Sequence, residues 1–227
     1  MIQKTLPQFK IEVNSLIYLK DPTSSELGKK MLSSALLMID EMGMESFTFK
    51  KLAKLLNTTE SSIYRYFESK HKLLLYFYNW YWAWMEYNII FETNNISTPS
   101  EKLRIAVGIL CHPTEEDSNF DLPLNILNKI VISESSKAYF SKEVDEENKA
   151  GFFLSFKRVA RLLAGFISEI DADYLYAHTL VATCMEGILH QQYFAKHLPS
   201  LSDCNEDREK LSTIFFEMMM NNMNQNK

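Results

Sequence analysis

The chain has 227 residues and is short of the residues that punctuate structure, with only six glycines and six prolines. A sheet protein of this length needs many tight turns, so the scarcity points to long helices. Three cysteines, Cys111, Cys184 and Cys204, show no CxxC spacing and leave an odd count. That speaks against a disulfide framework and fits a reduced, cytoplasmic setting. No GxGxxG, P-loop or HExxH occurs, and no Ser/His/Asp arrangement can be picked out. The sequence therefore points to no enzyme and no cofactor. The most apolar stretch, Leu73–Phe91, is broken by Asn79 and Glu86 and is dense in Tyr and Trp, a poor match to a membrane span. The opening "MIQKTLPQFKIEV" lacks the apolar centre and small-residue cleavage site of a secretory leader. Excess positive charge is also missing: the net charge is −5, which argues against general coating of nucleic acid.

What is present is apolar bulk and an uneven charge. Hydrophobic residues make up 46%, enough to fill a core and to exclude disorder. The first 75 residues hold 11 Lys and Arg against 8 Asp and Glu, and the rest hold 13 against 21. The N-terminal third is thus mildly basic and the remainder acidic. Residues 1–22 read as an extension. In it Phe9, Ile11 and Val13 alternate with polar residues as a short packed strand would, while Lys4, Lys10 and Lys20 could instead serve an arm that holds DNA.

Helical spacing of Leu27, Met31, Leu32, Ala35, Met38 and Ile39 predicts a helix from Ser24 or Ser25 to about Met42, stopped by Gly43. Thr48 can cap a short helix over Phe49–Leu55, and Thr59 a second over Glu60–Tyr66. Asn57 between them tolerates the left-handed backbone of a tight turn. A long helix from Lys70 to Phe91 is apolar nearly all round, with Lys72, Asn79 and Glu86 as its narrow polar strip, so it should be central and connect two domains. Further helices are expected at about Ser100–Cys111, Leu122–Ser133, Glu143–Ile170, Ala172–Lys196 and Asp207–Asn221.

Helix, four-residue turn, helix is the geometry of a DNA reader. The first turn of the second helix presents Thr59, Glu60, Ser61 and Ser62, short enough for the helix end to approach phosphates. Tyr64 and Arg65 reach from the next turn, Ile63 and Phe67 point inward, and Lys70 stands where a cation can meet a phosphate. A surface helix of a bundle is the competing reading of the same pattern.

The stretch "FTFKKLAKLLNTTESSIYRYFESKHKLL" resembles the DNA-binding domain of TetR-family transcriptional regulators. The positions that carry the resemblance are Gly43, Phe47, Thr48, Phe49, Leu52, Ala53, Ile63, Tyr64, Tyr66, Phe67, Ser69, Lys70, Leu73 and Leu74, within a span of about Ser25–Phe77. Three positions depart from the family pattern. Asn57 replaces a turn glycine, Thr58 replaces a buried valine, and Glu60 stands where relatives carry lysine or another polar residue. A carboxylate at Glu60 repels phosphate but can accept from a cytosine amino group. The resemblance implies phosphate contacts from Thr48, Thr59, Ser61, Ser62, Tyr64 and Lys70, and base reading by Glu60, Ser61 and Arg65. It also implies a C-terminal domain that binds a small molecule and dimerises through its last two helices.

The C-terminal half carries no motif of its own. His178, His190 and His197 with Glu186 could face a metal, but such residues are more often polar positions in a helix interface, so no metal is expected. Ala177, Val181 and Ile188 form a stripe, as do Leu211, Phe215 and Met218. These would pair two chains into a four-helix interface, or else pack inside one chain. Trp82, Met85, Ile89, Phe153, Phe156 and Cys184 are candidate walls of a ligand pocket, or simply core. Arg158 and Arg161 could meet an anion, though surface ion pairs are the plainer expectation.

The expected molecule is all-α. An extension (residues 1–22) and a three-helix DNA-binding domain (23–72) would be joined by the long helix to a helical ligand-binding and dimerisation domain (73–227). It would be a cytoplasmic, homodimeric regulator, a repressor released from a palindromic double-stranded DNA operator by a small-molecule effector. The alternative is a helical ligand-binding or protein-interaction module that kept the fold without reading DNA. The sequence names neither effector nor operator.

Overall fold

The computed structural model describes residues 11–113 and 122–224. Among them are ten α-helices and no strand: α1 (Glu26–Ser46), α2 (Phe49–Leu55), α3 (Glu60–Tyr64), α4 (Lys70–Thr93), α5 (Pro99–Cys111), α6 (Leu124–Tyr139), α7 (Val144–Lys149), α8 (Leu154–Ile170), α9 (Ala177–His197) and α10 (Arg208–Asn224). They fall into two compact units. Unit 1 takes residues 1–83 and 114–153, and unit 2 takes 84–113 and 154–227.

In unit 1, Ser25 caps α1 through its hydroxyl, which accepts from Gly28 N–H at 3.2 Å. Gly28 is required there, because a β-carbon would lie 2.1 Å from the Pro22 carbonyl oxygen. Gly43 breaks the first helix as expected, although a further helical stretch follows it directly. It takes φ 75°, kinks the helix, and lets it run on to Ser46. A left-handed break followed by further helical residues is a bend that only glycine adopts without strain. Burial of Met31, Leu32, Ala35, Leu36 and Ile39 sets α1 into the core, and α6 packs against it.

The unit-1 part of α4 is covered on all sides: Leu73 to Trp82 are every one buried. Asn79, expected in a polar strip, is 4% exposed. Its amide donates to Leu75 O one turn back at 2.9 Å, which satisfies a donor that burial would otherwise penalise. Tyr81 OH donates to Asn128 of α6 at 3.1 Å within the same core.

The single helix expected over Glu143–Ile170 is two. Gly151 at φ 81° ends α7, with Phe152 N–H on Glu147 O at 3.0 Å and Gly151 N–H on Asn148 O at 3.1 Å. This is the paired-bond termination that a left-handed glycine allows. The N-terminal extension shows no strand among residues 11–22; it makes short 3₁₀ turns at Ser15–Ile17 and Pro22–Ser24. Ile11 and Ile17 are buried, so this part packs against the chain, but through turns rather than as the expected strand. Phe9, Lys4 and Lys10 lie outside the described residues.

In unit 2, α5 packs on α8, α9 and α10, α8 on α9, and α9 on α10. Gly187 of α9 makes room for Phe215 of α10, since a β-carbon would meet that ring at 2.9 Å. Arg158 Nε donates to both carboxylate oxygens of Glu86 at 2.7 and 2.8 Å, the ion pair expected of it.

Candidate nucleic-acid interface

The turn between α2 and α3 is built locally. Thr48 caps α2, its hydroxyl accepting from Lys51 N–H at 3.2 Å. The helix closes with Thr58 N–H on Ala53 O at 2.9 Å and Asn57 N–H on Lys54 O at 3.3 Å. Asn57 stands at φ 50°, the left-handed position foreseen for it. Thr59 then opens α3: its hydroxyl accepts from Ser62 N–H at 3.3 Å and lies 2.9 Å from both the Ser61 and the Ser62 hydroxyls.

Beneath this surface the helix is anchored by apolar contact. Ile63 and Phe67 are fully buried. Tyr64 packs edge-on against Phe49 with ring centres 5.1 Å apart, which joins α3 to α2. Tyr66 is buried and shares a hydrogen bond with Ser25 at 2.8 Å. Above it, Thr48, Thr59, Glu60, Ser61, Tyr64 and Arg65 are exposed and Ser62 is half-buried. One short helix therefore presents three hydroxyls, a carboxylate, a phenol and a guanidinium. Such a set can bond phosphate oxygens and base edges.

Lys70 has a use that its position in the sequence does not reveal. Its ammonium donates to Met44 O at 3.0 Å and Glu45 O at 3.3 Å, carbonyls at the end of α1. Any phosphate contact uses the donor left over. Lys51 behaves alike, donating to Ser46 O at 2.7 Å. Lys137 of α6 bonds Glu45 at 2.9 Å and Glu134 at 2.8 Å. Its hydrogen bond, with Lys70 nearby, holds the Glu45 carboxyl below its ordinary range. Lys50 and Lys54, exposed on α2, are further cations on this unit that the family pattern does not mark.

Of the pocket candidates, Trp82, Met85, Ile89, Phe153 and Cys184 are buried and Phe156 is half-buried. Trp82 and Phe153 belong to unit 1 and the other four to unit 2. A cleft of about 540 Å³ opens in unit 1, with Ser69, His71, Lys72, Glu143, Glu147 and Phe152 in its wall. In it His71 Nε2 meets Glu147 at 2.9 Å, and Lys72 lies over the Phe152 ring at 4.0 Å. Sequence reading missed this group because His71 and Glu147 are 76 residues apart.

Of the interface candidates, Ala177, Val181, Ile188, Leu211 and Phe215 are enclosed by their own chain, and Met218 alone is exposed, at 48%. Burial of these five within one chain is the intrachain packing that the stripes also allowed. The faces left open carry Thr183, His190 and Tyr193 on α9, and Thr213, Glu217 and Met218 on α10. His178, His190, His197 and Glu186 all lie on α9, and among the described residues no group of three metal-binding side chains converges. No helix among those residues is long and apolar enough to cross a membrane.

Residues 31–77 match the family described as bacterial regulatory proteins, tetR family, in agreement with the resemblance carried by Ser25–Phe77. The fold is shared with solved structures. AibR, in complex with isovaleryl coenzyme A and operator DNA, superposes at TM-score 0.60 and 16% identity, over 85% of this chain and 97% of that chain. The fatty acid degradation regulator FadR from Bacillus halodurans gives 0.60 and 14%, over 86% and 95%. A protein described under the control of antibiotic production by bacterial hormones gives 0.55 and 13%, over 86% and 97%. Compared by sequence with curated proteins, the chain has no match. At these identities the likeness is one of fold.

Proposed function

We propose, on the premise of a tetR-family domain at residues 31–77, that the chain is a DNA-binding transcriptional regulator controlled by a small molecule. The observation that carries the reading is the exposed end of α3. Thr59, Ser61, Tyr64 and Arg65 project from a helix whose other face, through Ile63 and Phe67, is locked into the core. Phosphate contacts come from Thr48, Thr59, Ser61, Ser62, Tyr64 and the remaining donor of Lys70. Base reading comes from Glu60, Ser61 and Arg65.

In this reading two copies pair, so that two α3 helices enter successive major grooves about 34 Å apart on a twofold-symmetric site. The open faces of α9 and α10, including Met218, supply the pairing surface. The effector binds one conformation of the chain better than the other and releases the operator, which makes the protein a repressor of cytoplasmic location. AibR is described with an acyl coenzyme A, so acyl thioesters are the first effector class to try.

Selection of bound duplexes from a random pool, repeated with a panel of acyl thioesters, tests the reading. A palindromic consensus with a steep fall of affinity against salt supports it. Failure to enrich any sequence at low salt sinks it. That failure would favour the helical module without DNA reading, to which the acidic net charge and Glu60 lend some weight.

A further inference from the structure

The segment before α1 is bonded at two places. Asn14 Nδ2 donates to Ala150 O, the residue that ends α7, at 2.8 Å. Farther along, Leu19 N–H donates to Tyr66 O, just past α3, at 2.8 Å. Between them Ile17 is 1% exposed, and Tyr18 packs edge-on against Tyr76 of α4 with centres 6.2 Å apart. Lys20 follows, over the Tyr66 ring at 5.1 Å. Residues 14–20 thus form a strap from the end of α7 to the exit of α3.

A second tie leaves the same short helix. The Glu147 side chain is 6% exposed and meets His71 Nε2 at 2.9 Å and Lys72 Nζ at 3.6 Å. Ser141 Oγ donates to its other oxygen at 3.4 Å. His71 and Lys72 lie in the first turn of α4, beside Lys70 with its grip on the α1 carbonyls. A buried carboxylate deprived of its partners is costly, so Glu147 does not release that turn readily. Past α7 the chain turns through Gly151 and runs by Phe152 and Phe153 into α8.

We infer that α7 is the regulatory handle of the reading head. Displacement of α7 pulls on the exit of α3 through the Asn14–Leu19 strap. It pulls on the first turn of α4 through Glu147. Together these pulls change how Thr59 to Arg65 are presented to DNA. The inference rests on the regulator reading above for its effect on DNA, whereas the ties themselves are testable in the free protein.

The test uses the whole 227-residue chain. Asn14→Asp keeps the oxygen that accepts from Leu16 N–H but loses the donor to Ala150. Glu147→Gln keeps the shape and removes the charge. Amide hydrogen exchange in the free protein over residues 60–75 is expected to rise about fivefold in each variant, the worth of one hydrogen bond, with α9 and α10 unchanged. Affinity for a duplex selected by the unaltered chain is expected to fall by about the same factor. Lys149→Ala, which removes only an exposed pair with Glu146, is expected to change neither. Unchanged exchange over 60–75 in both variants overturns the proposal. A rise spread equally through α9 and α10 overturns it too, because it marks general loss of stability. So does normal DNA affinity in variants whose exchange has risen. If the unaltered chain selects no DNA, the regulator reading is what fails, and the exchange result still decides on the ties.

Discussion

Arg65 and Glu60 sit on the same exposed helix with opposite charge, and they should respond oppositely to neutralisation. Arg65→Ala removes a fork that can bond a guanine edge, so it is expected to cost about 1–3 kcal/mol of specific affinity and to relax choice at one base position. Glu60→Gln removes a charge that repels phosphate. It is expected to tighten binding to all duplexes a few-fold and to blunt any preference for cytosine. Titration of each variant against the selected site and a scrambled one separates the two effects. Unchanged affinity of either variant for both duplexes would remove that residue from the interface. Thr59 does two jobs, since its hydroxyl is both a cap and a neighbour of the Ser61 and Ser62 hydroxyls. Those hydroxyls satisfy one another in the free chain, so bonds to phosphate replace bonds already made.

At the scale of elements, backbone turns decide how α3 is held. Asn57 spends energy at φ 50° that glycine would not, so Asn57→Gly is expected to change thermal stability by less than about 1 kcal/mol and leave DNA affinity intact. Gly187→Ala drives a methyl group to 2.9 Å from the Phe215 ring and is expected to destabilise by about 1–3 kcal/mol in denaturant unfolding. An unchanged midpoint there would mean that α9 and α10 separate more easily than their buried contact suggests. These elements also show where sequence reading succeeds. Caps and turns are local, so Thr48, Asn57 and Thr59 could be placed from their neighbours alone. The break at Gly151 was legible in principle, as a glycine followed by two phenylalanines, but the helical spacing on either side masked it. Stripes are less informative. The spacing of Val181, Ile188, Leu211 and Phe215 reports that they are covered, not whether their own chain or a second copy covers them. Contacts such as Lys70 with the α1 carbonyls, or His71 with Glu147, join residues far apart in the chain and leave no local trace.

Across the whole molecule, buried thiols set an alkaline limit. Burial pushes the Cys111 thiol up from 9.0 to about 12, helped by Cys204 nearby, and burial pushes Cys184 up to about 11. The folded chain keeps these thiols neutral while the unfolded chain ionises near pH 9, so above that point the unfolded state binds fewer protons. Their contribution is fully present below pH 9 and is lost as pH climbs toward 12. Urea midpoints measured at pH 8, 9 and 10 are expected to fall more steeply for the unaltered protein than for Cys111→Ala. Parallel lines would show that Cys111 contributes nothing to this window.

Unit 1 is assembled from two stretches of chain, residues 1–83 and 114–153, so no contiguous piece of the gene encodes it. A clone ending after α4 would leave α1 without α6, and Tyr81 without its bond to Asn128. It would bare the row of aromatic side chains from Tyr76 to Trp82, and such a fragment should precipitate. Chimeras that graft unit 1 onto another protein must therefore carry residues 122–153 along with it. Homologous exchange of the first third alone divides unit 1.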